Sequence, residues 1–216
     1  MPYHYEATSE FIKSISEVNT LIKLASSDSD NRVLFLKLSH VSLVTKFQVF
    51  VENVLDEFRY SINGVQSSKI PLHMKMNAIK LSVIDSNALI AIKNHKDFSE
   101  EKKKKIVQYL NSISFILDDT SKIEESFMFK TKFPLGKTGK TELTDLLSQI
   151  DGNSNPFDGF DKDDFNKLDS VLQTRHQIIH QDRFTGTETT INDHLGFIKN
   201  LVEYIDAYLF SKMPQL

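Results

Sequence analysis

The chain has 216 residues, of which 40% are apolar and 25% are charged, and its formal net charge is −3. These values are typical of a globular protein with one or two domains and a sizeable core. The absence of cysteine excludes disulfides, thiol catalysis and cysteine-type zinc sites, and it fits a reducing, cytoplasmic compartment. Because the balance is slightly acidic, contact with nucleic acid would have to come from a local basic patch.

The N-terminus lacks the basic-then-apolar pattern of a signal peptide. No uninterrupted apolar run approaches the roughly 18 to 20 residues of a membrane span. We therefore expect a cytoplasmic protein without membrane contact. The low numbers of glycine (7) and proline (5) argue against a turn-rich all-β protein.

Apolar residues recur at helical spacing along most of the chain, which predicts an all-α fold in a single domain over residues 1–216. The first helix is predicted at about 8–25 and the second at about 31–62. Two more helices are predicted at about 73–93 and 99–117. No strand is predicted.

The second predicted helix is apolar over a wide arc, with Leu34 and Leu38 among its many apolar positions. A helix with so wide an apolar surface is usually buried. We therefore expect it to be the central helix of the core. His40, on the same helix, belongs to no recognisable motif. It is interpreted as a surface histidine or as a structural histidine whose ring nitrogens are hydrogen-bonded.

Residues 130–162 form an insertion between two helical halves of the chain. Its first part is basic without any acid, and a short helix at about 141–149 and a polar loop follow. This insertion could form a flap beside a site. If the chain binds RNA, the residues that we expect to contact it are Lys130, Lys132, Lys137 and Lys140.

The last part of the chain, 163–212, contains a predicted motif helix to about Asp182 and a final helix at about 190–210. One face of the motif helix is marked by 3, 4, 3, 4 spacing. That face comprises Phe165, Leu168, Leu172, Arg175 and Ile179. A guanidinium on such a face stays charged, so Arg175 needs an anion or acceptors beside it.

His176 and His180 follow Arg175 closely. A fixed cation and groups that titrate near neutral pH are what cleavage of a phosphodiester requires. On an ideal helix, positions five apart differ by about 140°, so Arg175 and His180 do not share a face. Arg175 and His180 can act together if the arginine side chain reaches around the helix, if the helix loosens near its end, or if a partner chain supplies the other half of the site.

Two motifs of nucleotide and calcium binding are incomplete. A P-loop ending in Gly139-Lys140-Thr141 would need glycine where Pro134 stands. A calcium loop starting at Asp151 would need glycine at Pro156 and glutamate at Lys162. No nucleotide P-loop is therefore expected, and the segment from Asp151 is interpreted as a turn rich in Asn and Asp.

His176 and His180 also have the i, i+4 spacing of a zinc-protease helix. In such a helix the general base is a glutamate directly after the first histidine, and here that residue is Gln177. A bound metal would need a further ligand, with Asp182 or His194 as candidates. No metal is expected at the site.

The pattern from the motif helix to the final helix resembles HEPN domains, all-α proteins with Arg, four to six residues, then His. Here Arg175 and His180 enclose four residues, and His176 fills the place of the polar residue after the arginine. The long apolar helix and the insertion resemble the RiboL-PSP-HEPN branch. The resemblance implies a metal-independent endoribonuclease without a cofactor. Members typically form homodimers with one composite site, and many act as toxins or in phage defence.

The resemblance also implies roles for the motif residues. Arg175 would hold the scissile phosphate, His180 would be the general base or acid, and His176 would orient the substrate or tune His180. RNA and a second copy are the implied partners, with an antitoxin or regulatory protein as a further possibility. A branch regulated by AMP transfer has tyrosine two residues after the motif histidine, where this chain has Asp182.

The alternative to a ribonuclease is a non-catalytic helical module that binds RNA or a protein. In that case Arg175 would pair with a buried carboxylate and His180 would cap the helix end. The complete Arg–polar–x3–His pattern favours the nuclease, whereas the acidic balance favours the binding module.

Overall fold

The computed structural model describes residues 3–81, 99–100, 103–104, 107, 110, 118–122, 130–134, 139–160 and 162–213. The α-helices in this part of the chain are α1 (Glu6–Ser27), α2 (Arg32–Ser61), α3 (Leu72–Leu81), α4 (Gly139–Asp151), α5 (Lys162–Gln181) and α6 (Glu188–Ser211). A 3₁₀ turn covers Ser67–Lys69. No strand forms among the described residues, where only an isolated bridge joins Gln66 to Lys122. The predicted all-α fold is confirmed.

The helix bounds agree with the sequence prediction to within about three residues wherever both ends are described. The predicted helix at about 73–93 is described only to Leu81. Most of the predicted helix at about 99–117 lies outside the described residues. At its start, the carbonyl of Ser99 accepts a hydrogen bond from the Lys103 N–H at 3.1 Å, as in a helical turn.

The chain forms two compact units. The first comprises Met1–Phe58, Thr131–Leu146 and Ser154–Lys212, and the second comprises Arg59–Lys130, Leu147–Asn153 and Met213–Leu216. The motif helix α5 and the final helix α6 both belong to the first unit. The fold of the first unit therefore positions the predicted site.

Two carboxylates hold the N-terminus of α1. Glu57 of α2 accepts hydrogen bonds from the backbone N–H groups of Glu6 (2.8 Å) and Ala7 (2.7 Å). The buried Asp206 of α6 accepts from the Tyr5 N–H (3.1 Å) and from the Thr8 hydroxyl (2.6 Å). Because the first N–H groups of a helix have no partner within it, these carboxylates satisfy them and attach α1 to α2 and α6.

Helix α2 lies in the core of the first unit, as predicted, but its burial is one-sided. Leu43, Phe47 and Val51 are fully buried, and the Phe50 ring packs against Phe11 of α1 with centroids 5.7 Å apart. Part of the wide apolar arc lies outside the core. A separate row of apolar side chains on α2 is exposed by about half, namely Leu34 (51%), Leu38 (45%) and Val49 (50%).

By length and composition alone, α2 is also apolar enough to cross a membrane. A core helix passes the same test, and the inner face of α2 is filled by side chains that pack within the protein. The exposed row contributes apolar side chains to the outer face of α2.

The described part of the insertion packs against the first half of α5. A Cβ at Gly139 would lie 2.0 Å from Leu172 Cδ1, so the start of α4 lies directly on α5. Phe157 stacks on Phe165 with centroids 4.1 Å apart. Phe165 precedes Arg175 by ten residues, or about 15 Å of helix. The loop that contains Phe157 is therefore remote from the motif, and residues 135–138 lie outside the described part.

Candidate functional site

The motif helix α5 ends at Gln181 because Asp182 adopts a left-handed backbone conformation, with φ of 52°. The N–H of Arg183 then donates to the carbonyl of Gln177 at 3.2 Å, which satisfies one of the last helical acceptors. A left-handed residue directly after the last turn is a common way to end a helix. His180 consequently lies in the last turn, next to a sharp change of chain direction.

Lys37 of α2 holds the end of α5. Its Nζ donates to the backbone carbonyl of Asp182 at 2.8 Å and to Oδ1 of the same residue at 2.5 Å. The Lys37 side chain is 18% exposed, whereas that of Asp182 is 91% exposed. Two bonds to one residue restrain both its backbone and its side chain, so the left-handed turn after the motif is tied to α2.

A second bond from α2 reaches the motif helix one turn before Arg175. Nε2 of the fully buried His40 lies 3.1 Å from the carbonyl oxygen of Val171, to which it donates in the matching tautomer. Nδ1 of His40 lies 3.5 Å from Nδ1 of His194 on α6. His40 therefore joins the three helices α2, α5 and α6.

Both histidines of this pair are shifted toward the neutral form. Burial lowers the pKa of His40 to about 4, against the raising effect of the Val171 hydrogen bond, and His194 lowers it further. Burial also lowers the pKa of His194. The pair is therefore neutral at pH 7, and it serves as an uncharged link between helices.

Arg175 lies on the partly buried side of α5. Its side chain is half-buried, and its Nε is buried without a hydrogen-bond partner among the described residues. No carboxylate in that part of the chain forms an ion pair with it. A buried donor without a partner costs about 1–3 kcal/mol, so such a group is uncommon unless another molecule satisfies it.

The buried face of α5 differs from the predicted one at its end. Phe165, Leu168 and Leu172 are buried, as the spacing predicted. Beyond Arg175, however, Ile178 is buried (9% exposed) and Ile179 is 45% exposed. On an ideal helix, Ile179 lies between Leu172 and Arg175 around the axis, so the burial of Ile178 in its place does not follow from the helical period. It depends on which side of the helix end the neighbouring elements cover.

His176 and His180 are adjacent on the outer side of α5. Their ring centroids are 4.4 Å apart with planes at 47°, and His180 is exposed whereas His176 is half-buried. Nothing in the described part of the chain forms a hydrogen bond with the His180 side chain. Together with the guanidinium of Arg175, these rings can present an anion-binding cation and titratable nitrogens at one end of one helix.

Two of the lysines predicted to contact RNA, Lys132 and Lys140, bind acceptors on different helices, α2 and α5. Nζ of Lys132 donates to Glu52 Oε2 at 2.8 Å. Nζ of Lys140 donates to Asn166 Oδ1 at 2.8 Å and lies 5.3 Å from the centre of the Phe165 ring. These contacts place Lys140 beside the first half of α5, away from the motif.

The other two lysines predicted to contact RNA are Lys130 and Lys137. Lys130 is exposed, and its backbone N–H donates to the Gln149 side chain at 2.8 Å. Lys137 lies outside the described residues. Two of the four predicted lysines thus have protein acceptors for their side chains.

The Glu52–Lys132 pair is a local ion pair. Burial by itself would raise the pKa of Glu52, but hydrogen bonds from Lys132, the Phe133 N–H and Gln48 outweigh it and lower that pKa. The same pair raises the pKa of Lys132. The charge of Lys132 is therefore partly neutralised by Glu52 within the fold.

The two proposed additional metal ligands have other partners. Asp182 is bound by Lys37, and His194 faces His40. Among the residues that the structure describes, no three His, Asp or Glu side chains form a group that could hold a metal ion. The structure does not bring a third ligand to His176 and His180.

Sequence patterns did not predict the roles of Lys37, His40 and His194, which link α2 to the motif helix and to α6. Lys37 and Asp182 are 145 positions apart, and His40 and Val171 are 131 positions apart. Such contacts depend on which helix faces which, so periodicity within one helix cannot predict them. The one available hint was a histidine within a strongly apolar helix.

Comparison with known proteins gives one result. The sequence model of the RiboL-PSP-HEPN family matches residues 9–210. This range begins in the first turn of α1, includes α2, α3, α4 and α5, and extends to the last turn of α6. Comparison with curated proteins and with solved structures finds no match to the chain.

Proposed function

Because the chain belongs to the RiboL-PSP-HEPN family, we propose that it is a metal-independent endoribonuclease that acts in the cytoplasm. The observation that carries this proposal is the environment of Arg175. Its half-buried guanidinium has an Nε without a protein acceptor, and the adjacent outer surface of the same helix presents two histidine rings. An anionic substrate would satisfy the arginine, and the histidines would move protons.

The proposed reaction uses the 2′-hydroxyl of the substrate as the nucleophile. Arg175 binds the scissile phosphate and stabilises the charge that develops on its oxygens. His180 removes the proton of the 2′-hydroxyl or donates one to the leaving 5′-oxygen. His176 orients the substrate or tunes His180. No metal hydroxide is needed, because the nucleophile is already held beside the phosphate by the ribose.

One chain provides only one half of this site, and we propose that a two-fold homodimer completes it. Arg175 and His180 point about 140° apart on one helix, so a single chain cannot direct both at one phosphate easily. A two-fold interface brings the same patch of both subunits together and supplies two histidines, one for each proton transfer.

The exposed row on α2 supports this proposal. Leu34 precedes Lys37 by three residues and Leu38 follows it, and Nζ of Lys37 binds the residue that ends α5. Ile179, in the last turn of α5, is exposed as well. Apolar side chains exposed next to a half-site fit a surface that a second copy covers.

The alternative is a non-catalytic module in which Arg175 and His180 are structural. It requires a carboxylate at Arg175 and a capping bond at His180, and neither contact is found among the described residues. The nuclease is therefore the function that the geometry supports better. A role as a toxin or in defence, with an antitoxin or regulatory protein as partner, is part of the same proposal.

The chemistry is tested with the purified chain, structured and unstructured RNAs, and EDTA in excess. We expect cleavage products with 2′,3′-cyclic phosphate and 5′-hydroxyl ends. An RNA with a single 2′-deoxy substitution at the cleaved position should bind but resist cleavage. Products with 5′-phosphate ends, or activity that appears only with added metal, would contradict this mechanism. RNA binding without cleavage would favour the binding module.

A further inference from the structure

Ile179 occupies the surface between Arg175 and His180 on the motif helix α5. Measured from Arg175 around the axis of an ideal helix, Ile179 lies at about 40°, His176 at about 100° and His180 at about 140°. Side chains four positions apart are neighbours on a helix, which pairs Arg175 with Ile179 and His176 with His180. The second pair is seen directly, because the centroids of its two rings are 4.4 Å apart. These four residues therefore form one continuous patch.

The fold leaves Ile179 open to solvent. Its neighbour Ile178 is buried, with 9% of its surface exposed, whereas Ile179 is 45% exposed. A single exposed apolar residue is ordinary on a protein surface, so its exposure alone indicates nothing. Its position does, because a ligand that spans the short way around the helix from Arg175 to His180 has to pass over Ile179 or His176. An apolar side chain thus lies where a ligand of the motif would lie.

We propose that Ile179 contacts the substrate and holds the nucleobase next to the phosphate that Arg175 binds. This inference rests on the proposed function, since it takes RNA as the ligand of Arg175. The guanidinium binds the charged part of a nucleotide. Ile179 can neither donate nor accept a hydrogen bond, so it fits the apolar face of the base. Ligand sites commonly combine apolar side chains with a few polar groups in this way.

Two other roles of Ile179 make different predictions. If Ile179 only supports the apolar stem of Arg175, its loss weakens the binding of every RNA to the same extent, with or without the base. If Ile179 only packs against a second copy of the chain, its loss changes the oligomeric state. A contact with the base is the one role in which the effects of the protein variant and of the missing base depend on each other.

The binding experiment is a double cycle on the full chain. The RNA has a single 2′-deoxy substitution at the position that the wild type cleaves, and two further versions each lack one of the bases that flank this position. Ile179→Ala should weaken binding of the complete RNA about five- to tenfold, as expected for the loss of part of an apolar contact. Removal of one of the two bases should weaken the wild type by a similar factor and Ile179→Ala by less than about twofold. Equal effects of base removal on both proteins would overturn the inference.

Two variants and one further measurement serve as controls. Leu24→Ala removes an apolar side chain of similar exposure (41%) on α1 and should bind all three RNAs like the wild type. Ile179→Leu keeps an apolar side chain and should restore binding of the complete RNA. Sedimentation velocity compares Ile179→Ala with the wild type. A changed oligomeric state together with a loss of binding that does not depend on the base would assign Ile179 to an interface and contradict the inference.

Cleavage assays separate this inference from the proposed function. For Ile179→Ala we expect a higher KM and a turnover number within about threefold of the wild type, because the contact is the same before and in the transition state. Unchanged binding and cleavage by Ile179→Ala would refute the inference and leave the ribonuclease standing. If the wild type cleaves no RNA, a single abasic position is moved along the RNA that it binds. A loss of binding that Ile179→Ala does not share then supports the contact and refutes the ribonuclease, whereas no RNA binding at all refutes both.

Discussion

Lys37 of α2 donates from Nζ to both the backbone carbonyl and the carboxylate of Asp182, the left-handed residue that ends the motif helix. The motif helix is therefore fixed to α2 directly after His180. One turn before Arg175, His40 of the same helix α2 binds the Val171 carbonyl. The three motif residues thus lie between two points at which α2 holds α5.

Substitution of Lys37 tests the importance of this attachment. Lys37→Met keeps the apolar stem and removes both bonds, at a cost of about 1 kcal/mol in the free energy of unfolding, because Asp182 is largely exposed. The turnover number for RNA should fall by at least about tenfold, since displacement of a catalytic group by 1 Å can cost about 100-fold. Urea unfolding and single-turnover cleavage provide the two measurements.

Lys46→Met is the matched control for that variant. Lys46 also lies on α2 and forms an ion pair of 2.7 Å with Glu17 at similar exposure, but it does not touch the motif helix. Its loss should change stability by a similar small amount and leave cleavage unchanged. Equal effects of both substitutions on cleavage would show that the Lys37–Asp182 bond does not position the motif.

Arg175 should be important for activity and dispensable for folding. Because its buried Nε has no acceptor, Arg175→Met removes an unsatisfied group and keeps the packing of the stem. We expect an unchanged or slightly higher melting temperature and a loss of RNA cleavage of at least about 100-fold. Thermal unfolding, measured alongside cleavage, separates the two effects.

Arg183→Met serves as the control, because Arg183 is an exposed arginine just beyond the same helix. It should retain cleavage. His180→Ala should abolish cleavage without unfolding the protein, and His176→Ala should weaken it less. An Arg175→Met protein that unfolds, together with a silent His180→Ala, would indicate that the motif is structural.

The exposed row on α2 is where we expect the interface of the proposed dimer. Leu34→Glu combined with Leu38→Glu should convert the dimer to a monomer, because charges would have to be buried against their own symmetry mates. Sedimentation velocity at micromolar concentration measures this change. The monomer should lose cleavage while its helical circular dichroism remains.

Leu24→Glu is the corresponding control on α1, where Leu24 is exposed to a similar extent (41%). It should remain dimeric and active. A wild-type protein that is monomeric at micromolar concentration and still cleaves RNA would refute the composite site.

The lysines of the insertion should differ in their effect on RNA binding. Lys137→Ala with Lys140→Ala should weaken binding and reduce the salt dependence, because each phosphate contact to a single strand contributes about 0.7 to the logarithmic slope. Lys132→Ala should change the slope less, since Glu52 already neutralises this lysine. Binding isotherms at several salt concentrations measure the slopes. Identical slopes for the wild type and all variants would show that these lysines do not contact RNA phosphates.

The buried His40 predicts a loss of stability in acid. Its pKa is about 4 in the folded chain, compared with its ordinary value of 6.5. Between these values the unfolded chain binds more protons, so the free energy of unfolding is highest above pH 6.5 and decreases as the pH falls toward 4. The full effect is about 3 kcal/mol at 1.36 kcal/mol for each pKa unit.

Urea unfolding at pH 7.5 and pH 5 measures this linkage. His40→Gln retains a hydrogen-bond donor toward Val171 but cannot be protonated in this range. It should lose less stability than the wild type between the two pH values. An equal loss in both proteins would mean that other groups dominate the acid response.

The amino-acid sequence by itself determined the helices of the first unit and the Arg–His motif. Helical periodicity and end signals are local properties, so the bounds of α1, α2, α5 and α6 could be predicted to within a few residues. The family could be recognised for the same reason, because its motif, from Arg175 to His180, lies within one helix. The spacing placed Ile179 on the apolar face, whereas Ile178 is the buried residue at the end of α5, because tertiary packing decides which side of the last turn is covered.

Only the tertiary structure decided how the motif helix is held and which apolar residues stay exposed. Leu34 and Leu38 look like core residues in sequence, because the apolar character of a side chain does not show which face of its helix the neighbouring helices cover. Lys37 meets Asp182, and His40 meets Val171 and His194, only because α2, α5 and α6 converge. Contacts between residues more than a hundred positions apart arise from packing of whole helices, and no local pattern encodes them.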